Sequence, residues 1–593
     1  MTNGEHELQE QREIRGVSKT IREMLQGMKY SIDYYQREYK WQTKQVEELI
    51  DDLTNRFLDD YDEDHPREKV ASYGHYFLGS VVISNKKAER AIIDGQQRLT
   101  TLTLLLIFLH NVQRNRADKV EIADMIFSVK YGKKSFNLDV PGREVVMDAL
   151  FNEVDFDPNG HLESIRNIVA RYRDIEAHFP EDIKDDTLPY FIDWLIENVH
   201  MVEITAYNDD DAYTIFETMN DRGLSLSPTD MLKGFLLANI TDETKRTTAA
   251  QTWKECTQDL ADLGNDEVAD FFKAWLRSQY ANTIRERKKH AKAQDFDQLG
   301  TEFHRWIRSH REEIGLKKSD DFYQFIERDM KFYIRQYIKI RAASRDYTTP
   351  FEDLFHIAQY GFTLQYPILL APLNPGDDDH TISQKIRIVA AFIENLLARR
   401  LWNWHSISYS TMQYSMFLVM KEVRGKSSQD LVTLLTKRLS NEESFTNNSH
   451  FYMHKMNRYM VHRLLARITD FLERQSGFAS HYAEYVGNGQ VKYEVEHIWA
   501  NHYEDHKDEF AHPNDFADYR NRIGGLLLLP KAFNASYSDK PFEDKREQYF
   551  SQNLLAGSLH PNCYQNHTGF MRFIQSGNLN FKAYDHFKKA DMD

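Results

Sequence analysis

The sequence predicts an α+β protein that is predominantly helical, and three observations support this prediction. Val81–Ile83 and Ala91–Ile93 have the composition of two hairpin strands, and an unbroken apolar helix follows them. From about Thr241 to Phe478, apolar residues recur at three- and four-residue spacing, which is typical of helices. Towards residue 593, two strand-like runs precede a further helical segment. Because 593 residues are too many for one hydrophobic core, we expect three domains, at 1–240, 241–478 and 479–593.

The composition limits the possible partners and compartments. Lys and Arg number 75 against 91 Asp and Glu, which gives a net charge of −16. The overall field of an acidic chain does not attract DNA, so any nucleic-acid surface must be a local basic patch. The two cysteines, Cys256 and Cys563, are too few for a disulfide framework or a cysteine-based zinc site, which favours a reducing cytoplasm. No apolar run has the length of a membrane span and the first residues are polar, so we expect a soluble, cytoplasmic protein with no membrane partner.

The stretch Ile92–Leu106, IIDGQQRLTTLTLLL, is a polar turn between a strand and an apolar helix. The first N–H groups of a helix carry partial positive charge, so a phosphate can bind there while Arg98 neutralises its charge. The alternative is purely structural: Asp94 caps the helix and Gly95 supplies the turn.

Two other segments contain polar residues that invite a similar interpretation. In IDYYQREYKW, Arg37 either binds a phosphate through its planar guanidinium or stacks at the surface on Trp41. In the segment FETMNDRGLSLSPTDMLKGFLL, Ser227, Pro228 and Asp230 have the pattern of a helix N-cap, N1 and N3. That pattern leaves three polar residues without a structural explanation: Asn220, Arg222 and Lys233.

These three segments resemble the ParB-like N-terminal domain of GmrSD-type, modification-dependent (type IV) restriction enzymes. The resemblance lies in Asp-Gly-Gln-Gln-Arg followed by Leu-Thr-Thr-Leu, in Gln-Arg-x-Tyr-x-Trp, and in Asn-x-Arg-Gly-x-x-Leu-x-x-x-Asp. It implies an α/β domain that binds and hydrolyses a nucleotide, with Asp94 and Arg98 as catalytic residues. The residues implied in nucleotide binding are Gln36, Arg37, Gly95, Gln96, Gln97, Asn220 and Arg222. The alternative for the last segment is that Arg222 pairs with an acidic neighbour and Lys233 is solvated.

The middle region carries three basic features that either follow a DNA backbone or form solvated faces. They are the run 285–292, RERKKHAK; the helix face of Lys331, Arg335 and Lys339; and the pair Arg399 and Arg400. Trp402 and Trp404 follow the last pair, and they either pack in the core or stack on an extruded or modified base.

The C-terminal region has the order of a ββα-metal nuclease. Val491–Ile498 alternates like a strand and ends in Glu496 and His497; a loop-like stretch, a second strand at Arg522–Pro530 and a helical segment at Ala532–Tyr549 follow. This order resembles the HNH-like C-terminal domain of the same family. The resemblance implies His497 as general base, Glu496 and Asn534 as ligands of Mg²⁺ or another divalent cation, and Lys540 and Lys545 as phosphate contacts. The structural alternative is that Glu496 and His497 merely end a strand.

One position departs from the family pattern, because Gly525 stands where the family has an Asn that braces the loop of the base histidine. The absence of this Asn is expected to lower nuclease activity unless Asn521 braces the histidine loop in its place. Three histidines, His502, His506 and His512, also suggest a zinc site, although scattered histidines on a polar loop are more often solvated.

The expected function is therefore that of a nucleotide-dependent type IV restriction endonuclease. Its substrate would be modified double-stranded phage DNA, for example with hydroxymethylated or glucosylated cytosine, and its cofactors a divalent cation and GTP, ATP or UTP. A homodimer is expected, since cutting both strands with one site per chain is simplest with two chains. The alternative is a nucleotide-sensing, DNA-binding defence regulator whose nuclease domain is inactive.

Overall fold

A computed structural model describes residues 15–32, 39–86, 89–130, 133–140, 142–161, 163–206, 215, 227–264, 266–286, 288, 291–537 and 539–592. The chain forms two compact units. The first unit contains Met1–Glu255 and Ile307–Glu327, and the second contains Cys256–Trp306 and Arg328–Asp593. The predicted α+β, predominantly helical fold is confirmed. Among the described residues, no helix has both the length and the hydrophobicity needed to cross a bilayer. The boundaries after residues 240 and 478 stay predictions.

The first unit is built on a six-stranded sheet with a small separate hairpin. Its strands are β1 (Arg15–Thr20), β2 (Tyr30–Ile32), β3 (Tyr76–Lys86), β4 (Glu89–Asp94), β5 (Phe127–Lys130), β6 (Lys133–Phe136), β7 (Leu138–Asp139) and β8 (Val199–Ala206). The spatial order in the large sheet is β1-β8-β3-β4-β2-β7, and β5 pairs with β6. The helices up to Asn198 are α1 (Ile21–Leu25), α2 (Thr43–Leu58), α3 (Gln96–Val112), α4 (Ala123–Ile126), α5 (Glu144–Phe151), α6 (Glu163–His178) and α7 (Leu188–Asn198).

Strand direction decides which loops meet at an edge of this sheet. The predicted hairpin is β3 and β4, which pair antiparallel, whereas β2 runs parallel to β4 with Ile32 beside Ile92. The carboxyl ends of β2 and β4 therefore lie at the same edge, which is where open α/β sheets commonly bind ligands. Strand β8 runs the other way and ends with Ala206 beside Ser84, towards the opposite edge.

Helix α3 forms the centre of the first unit's core. It is apolar on all sides, and Leu99, Leu102 and the run Leu104–Leu109 are buried. A helix of this composition is stable only when other elements cover its whole surface. Burial of this helix therefore fixes the position of the polar turn at its start.

The predicted helical stretch after the first sheet is also confirmed. Its helices are α8 (Pro228–Ala238), α9 (Glu243–Ala261), α10 (Glu267–Tyr280), α11 (Asp295–Thr301), α12 (Phe303–Ser309), α13 (Ser319–Gln324), α14 (Lys331–Arg345), α15 (Glu352–Ala358), α16 (Gln365–Leu370), α17 (Asp379–Trp402), α18 (Tyr409–Val423), α19 (Ser428–Ser440) and α20 (Arg458–Gln475). Ser227 caps α8 and forms a reciprocal capping box with Asp230, as the sequence predicts.

The C-terminal part of the second unit contains an antiparallel hairpin of β9 (Tyr493–His497) and β10 (Leu526–Pro530), with His497 beside Leu526. The connection expected to be loop-like contains a helix, α21 (Pro513–Arg520). The single helical segment expected after β10 is instead two helices, α22 (Lys531–Tyr537) and α23 (Phe542–Tyr549). Pro541 forms the N-cap of the second one, where its missing N–H costs nothing. The remaining helices are α24 (Leu554–Gly557), α25 (Cys563–Asn566) and α26 (Thr568–Ser576).

Candidate functional site

A cluster of polar side chains lies at the end of β9 in the second unit. Glu496 is buried, and its Oε1 accepts hydrogen bonds from Lys545 Nζ at 2.7 Å and from the Tyr549 hydroxyl at 3.4 Å. Lys545 Nζ also donates to the backbone oxygen of His497 at 2.9 Å. The opposite charges of Glu496 and Lys545 offset part of the cost of burying each other. Burial also lowers the pKa of Lys545.

The expected phosphate contact of Lys545 is wrong for this structure, because the side chain is 0% exposed and its ammonium is engaged with Glu496. Lys540 is exposed, with its ammonium 4.4 Å from the centre of the Tyr537 ring. The sequence treats the two lysines alike because both follow Asn534 on the same helical segment. Only the turn between α22 and α23 separates them into a surface residue and a buried one.

His497 is oriented by Asn521. The Asn521 amide nitrogen donates to the Ala517 backbone oxygen at 2.8 Å, so its Oδ1 faces His497 Nε2 at 2.9 Å. An oxygen can only accept, so Nε2 carries the proton and Nδ1 keeps its lone pair. Burial, followed by the nearby charge of Arg520, lowers the pKa of His497 to about 4, so the imidazole is neutral at pH 7. A neutral imidazole with a defined lone pair is able to accept a proton.

Asn534 lies on α22 behind β9. Its Nδ2 makes a long hydrogen bond of 3.4 Å to the Val495 backbone oxygen. Its Oδ1 is buried and has no hydrogen-bond partner among the described residues. A buried amide oxygen without a donor, on a helix that is hydrogen-bonded to the strand of Glu496, is the kind of oxygen ligand that a hard divalent cation prefers. These residues therefore fit Mg²⁺, although Lys545 shares the carboxylate.

Two arginines that no sequence motif indicates lie near His497. Arg520 donates to the Trp499 backbone oxygen at 3.0 Å, and Arg458 begins α20 on the exposed surface. Both are close enough to lower the pKa of His497. Arg520 could have been suspected because it precedes Asn521, whereas Arg458 is distant in sequence and only the tertiary fold brings it near.

Met592 packs closely against the glycines at positions 524 and 525. A Cβ atom there would lie 2.9 Å from Met592 Cε and 3.2 Å from its sulfur, and one on Gly524 would lie 2.3 Å from the Met592 backbone oxygen. The segment before Met592 is held by the Trp499 indole, which donates to the Phe587 backbone oxygen at 2.7 Å. Met592 therefore occupies the space of a side chain at 525, while Asn521 makes the contact with His497.

Two of the three histidines that suggest a zinc site, His506 and His512, make structural contacts instead. His506 packs on Trp499 at 4.3 Å between ring centres and on Phe516 at 5.2 Å. His512 accepts from the Asn514 N–H at 3.1 Å and caps α21. The metal-like cluster found among the described residues does not contain them.

In the first unit, the polar turn occupies the edge where β2 and β4 end. Gly95 is the N-cap of α3, with φ of 92°, and a Cβ there would lie 2.9 Å from Val81 Cγ2. The N-cap is therefore Gly95 and not Asp94, because glycine adopts this left-handed conformation without strain. By helix geometry, the N–H groups that follow Gly95 have no intrahelical acceptor.

Arg98 bends back over β3 beside this turn. Its Nη1 donates to the Ser80 backbone oxygen at 2.7 Å. Gly79, with φ of 109°, leaves room for it, since a Cβ there would lie 3.1 Å from Arg98 Cζ. These contacts hold the positively charged guanidinium group of Arg98 next to the start of α3.

Gln97 connects the turn to another predicted segment. Its Oε1 accepts from the Lys40 N–H at 2.9 Å, and the buried Tyr39 hydroxyl contacts Thr101 Oγ1 on α3 at 2.9 Å. Gln96 is buried at 6% exposure. Gln36 and Arg37, which precede Tyr39, lie outside the described residues, as do Asn220 and Arg222. Because β8 ends towards the opposite edge, the sheet alone does not bring the chain after Ala206 to the turn.

Comparison with known proteins bears on both sites. Residues 19–237 match the family described as "GmrSD restriction endonuclease, N-terminal domain", and residues 417–567 match "GmrSD restriction endonucleases, C-terminal domain". This chain belongs to the GmrSD-type restriction endonucleases. No curated protein matches it. As a GmrSD-type restriction endonuclease it is a nuclease whose substrate is DNA.

In this GmrSD-type endonuclease, two of the basic residues considered for DNA contact donate hydrogen bonds to backbone oxygens instead. Arg399 Nη1 donates to the Leu439 oxygen at 2.7 Å, and Arg400 Nη2 donates to the Ser406 oxygen at 3.1 Å. Lys339 lies 5.0 Å from the Phe351 ring centre, on a helix whose Tyr333 is buried. Part of the run 285–292 lies outside the described residues. These contacts stabilise the helical stretch, and they weaken the case for Arg399 and Arg400 as DNA contacts.

The two tryptophans of this GmrSD-type endonuclease have different environments. Trp402 is half-buried, stacks on Phe451 at 4.8 Å, and donates to the Asn448 backbone oxygen at 2.8 Å, as core packing requires. Trp404 leaves 44% of its surface exposed.

Proposed function

We propose that this endonuclease is a nucleotide-dependent type IV enzyme that cuts modified phage DNA, such as DNA with hydroxymethylated or glucosylated cytosine. The observation that carries the proposal is the orientation of His497. Because Asn521 Oδ1 accepts a hydrogen bond from Nε2–H of His497, Nδ1 is the atom that can receive a proton from water. A histidine that only ended a strand would not need this bracing.

The cutting site is proposed to be HNH-like. His497 takes the proton of the attacking water, and a DNA phosphate beside the ring would favour the imidazolium that results. Arg458 and Arg520 supply positive potential that favours the phosphate. Glu496 and Asn534 would hold Mg²⁺ or another divalent cation, which polarises the scissile phosphate and stabilises the leaving oxygen.

The nucleotide site is proposed at the start of α3, within a ParB-like domain. Support comes from the N–H groups after Gly95, from Arg98 beside them, and from the shared edge of β2 and β4. The nucleotide would be GTP, ATP or UTP, with Asp94 and Arg98 acting in its hydrolysis. The family resemblance assigns the remaining contacts to Gln36, Arg37, Gln96, Gln97, Asn220 and Arg222.

Nucleotide hydrolysis would act as a switch between a resting and a cutting state of the enzyme. With one cutting site per chain, cutting both strands is simplest with two chains, so the working form is proposed to be a homodimer.

A second candidate function is a nucleotide-sensing, DNA-binding regulator with an inactive nuclease domain. The contact of Lys545 with Glu496 favours it, because the ammonium group competes with a metal ion for the same carboxylate oxygen.

A cleavage assay separates the two candidates. The purified chain is incubated with Mg²⁺ or Mn²⁺, with each of the three triphosphates, and with unmodified, hydroxymethylated or glucosylated DNA. The first proposal expects cutting of modified DNA only. Turnover of nucleotide without cutting of any DNA under either metal would establish the regulator instead.

Variants assign each activity to its site. His497→Ala removes the general base and lowers cutting by about 10²- to 10⁴-fold, the usual contribution of such a group, without changing nucleotide hydrolysis. Arg98→Ala should lower nucleotide hydrolysis while DNA binding in the absence of nucleotide is retained. Loss of both activities in His497→Ala would contradict the assignment of separate sites.

A further inference from the structure

Three aromatic side chains form an exposed surface in the second unit, which we name the aromatic platform: Trp404, Tyr452 and His454. The Trp404 ring lies 4.9 Å from Tyr452 and 5.4 Å from His454, and its plane is within 24° of the His454 plane. Trp404 is 44% exposed and Tyr452 is 40% exposed. Phe451 lies buried beneath them, 5.1 Å from Trp404. The platform is therefore supported from below and open to solvent above.

The backbone of Trp404 is unusual for a tryptophan. Helix α17 ends in a Schellman motif, in which the His405 N–H donates to the Arg400 oxygen at 2.8 Å and the Trp404 N–H donates to the Leu401 oxygen at 3.2 Å. Trp404 occupies the left-handed position of this motif, with φ of 62°. Glycine is favoured at that position because a side chain is strained there. A bulky, half-exposed ring at this point does not serve the fold as well as glycine would, which points to a role in binding.

The platform is attached to the segment that orients His497. The Met453 N–H donates to the Asn521 oxygen at 2.8 Å, and the Ile523 N–H donates to the Phe451 oxygen at 3.1 Å. These two bonds place Tyr452 directly opposite Arg522 in an antiparallel bridge. Asn521, the residue before Arg522, accepts the hydrogen bond from His497 Nε2. The segment that carries the platform is therefore hydrogen-bonded directly to the segment that orients His497.

The charge of this region fits a polyanion. Residues 444–469 contain no Asp or Glu, and they include the exposed residues Lys455 and Arg458. Glu443 lies at the border of this stretch, where its carboxylate is 2.9 Å from His405 Nε2. Aromatic rings combined with cations are the usual means by which proteins bind unpaired nucleotides, because every base has a face that can stack.

We propose that the aromatic platform stacks on an unpaired or extruded base of the DNA substrate, next to the phosphate that is cut. Trp404 supplies the main stacking face, and Tyr452 and His454 hold its ring in place. The proposal rests on the proposed nuclease function of His497. It adds a contact that positions the DNA strand and does not act on the reacting atoms.

The test uses the full chain with His497→Ala, so that bound DNA stays uncut. Affinities are measured by fluorescence anisotropy for a fully paired duplex and for the same duplex with one unpaired base. The added substitution Trp404→Gly removes the ring at a position that favours glycine, so thermal unfolding is expected at the same or a higher temperature. We expect binding of the duplex with the unpaired base to weaken by about tenfold, the effect typical of one lost stacking contact.

Matched variants distinguish stacking from other effects. Trp404→Phe keeps a ring and should retain most of the affinity. Phe471→Ala removes an aromatic side chain that is 48% exposed on α20, about 20 Å along the helix from Arg458, and should leave binding unchanged. The salt dependence of binding should be the same in Trp404→Gly as in its parent, because no charge is removed. A base analogue such as 2-aminopurine at the unpaired position should be quenched by the parent and not by Trp404→Gly.

Equal affinity of Trp404→Gly and its parent for the duplex with the unpaired base, with equal quenching, would overturn the proposal. Dissociation of a dimer by Trp404→Gly, measured by sedimentation, would also overturn it and assign the surface to a second copy of the chain. Failure of the proposed nuclease function is recognised separately, since the protein with His497 intact would then cut no DNA.

Discussion

The turn at Gly95 and the cluster at His497 both follow a strand end, but they are built from different parts of the chain. The turn depends on backbone: a left-handed glycine, the N–H groups after it, and one arginine held by a backbone oxygen. The cluster depends on side chains that come from distant positions, namely His497 with Asn521 and Glu496 with Lys545. A site made of local backbone can be recognised in a sequence, whereas a site made of long-range side-chain pairs is only partly visible there.

Removal of Lys545 should have the largest effect on stability. Lys545→Met leaves the buried Glu496 carboxylate without its cation, so we expect a loss of about 3–5 kcal/mol in the free energy of unfolding, measured by denaturant titration. Lys540→Met, which changes an exposed lysine nearby, should have almost no effect. The double variant Lys545→Met with Glu496→Gln should recover most of the loss. If the double variant does not recover stability, the ion pair of Lys545 and Glu496 is not the source of the loss.

Asn521 tests whether the cutting site depends on one orienting side chain. Asn521→Ala should lower the rate of DNA cutting by about 10- to 100-fold, the usual effect of removing a partner that orients a histidine in a site. The change should appear in kcat and leave KM nearly constant, because Asn521 acts through His497 and not on the DNA. Asn521→Asp keeps an acceptor oxygen and should cut faster than Asn521→Ala. A change in KM alone would mean that Asn521 contacts DNA instead.

Gly95 tests whether the turn depends on backbone conformation. Gly95→Ala should destabilise the first unit by about 1–2 kcal/mol through its left-handed φ, with a further cost from the contact with Val81. Gly160→Ala is a suitable control, since Gly160 also has a positive φ of 78° but nothing lies within 4 Å of its Cβ position. Thermal unfolding of the two variants separates conformational strain from the clash. Equal losses would show that Val81 moves aside.

A buried charge cluster away from both sites should have the smallest effect. His356 is 1% exposed, and its Nδ1 lies 3.0 Å from Glu394, which Arg467 also contacts at 2.7 Å. Burial alone lowers the pKa of His356, but the nearby carboxylates of Asp353 and Glu394 raise it above the ordinary value. Because the pKa of His356 is higher in the folded state, protonated His356 contributes to the free energy of unfolding. This contribution is complete below the ordinary pKa of 6.5 and is lost as the pH rises above it.

The free energy of unfolding should therefore fall as the pH increases from about 6 to about 8, and His356→Gln should flatten this slope. The raised pKa of Asp353 has the same sign, and its contribution to stability is lost as the pH rises from the ordinary value of 3.8 through the raised value. The lowered pKa of Glu394 acts only at acidic pH, where protonation of its carboxylate removes stability. An unchanged slope in His356→Gln would exclude His356 as its source.

Local patterns in the sequence were sufficient for much of the fold. The hairpin of β3 and β4, the Ser227 cap of α8 and the two C-terminal strands are each encoded by residues close together in the chain. The alternative in which Asp94 caps the helix is wrong, because Asp and Gly both favour helix starts and only the φ of Gly95 identifies the N-cap. The burial of Lys545 could not be predicted, since its partner Glu496 is 49 positions away.

The site residues divide in the same way. Motif order together with the family resemblance predicts His497, Glu496 and Asn534, and the sequence also raises Asn521 as the brace of the histidine. Arg458 and Met592 carry no local signal, because their roles depend on how distant segments fold onto β9 and β10.

The contact of Met592 with Gly524 and Gly525 has a consequence for synthesis. Translation proceeds from the N terminus, and domains generally begin to fold in that order. The loop that carries Asn521 lacks one of its packing partners until Met592 has been made, by which time every residue of the first unit has left the ribosome. In a nascent chain, the packing around Gly524 and Gly525 is therefore completed only after residue 592 has been added, and the loop that carries Asn521 gains this support after the first unit has been synthesised.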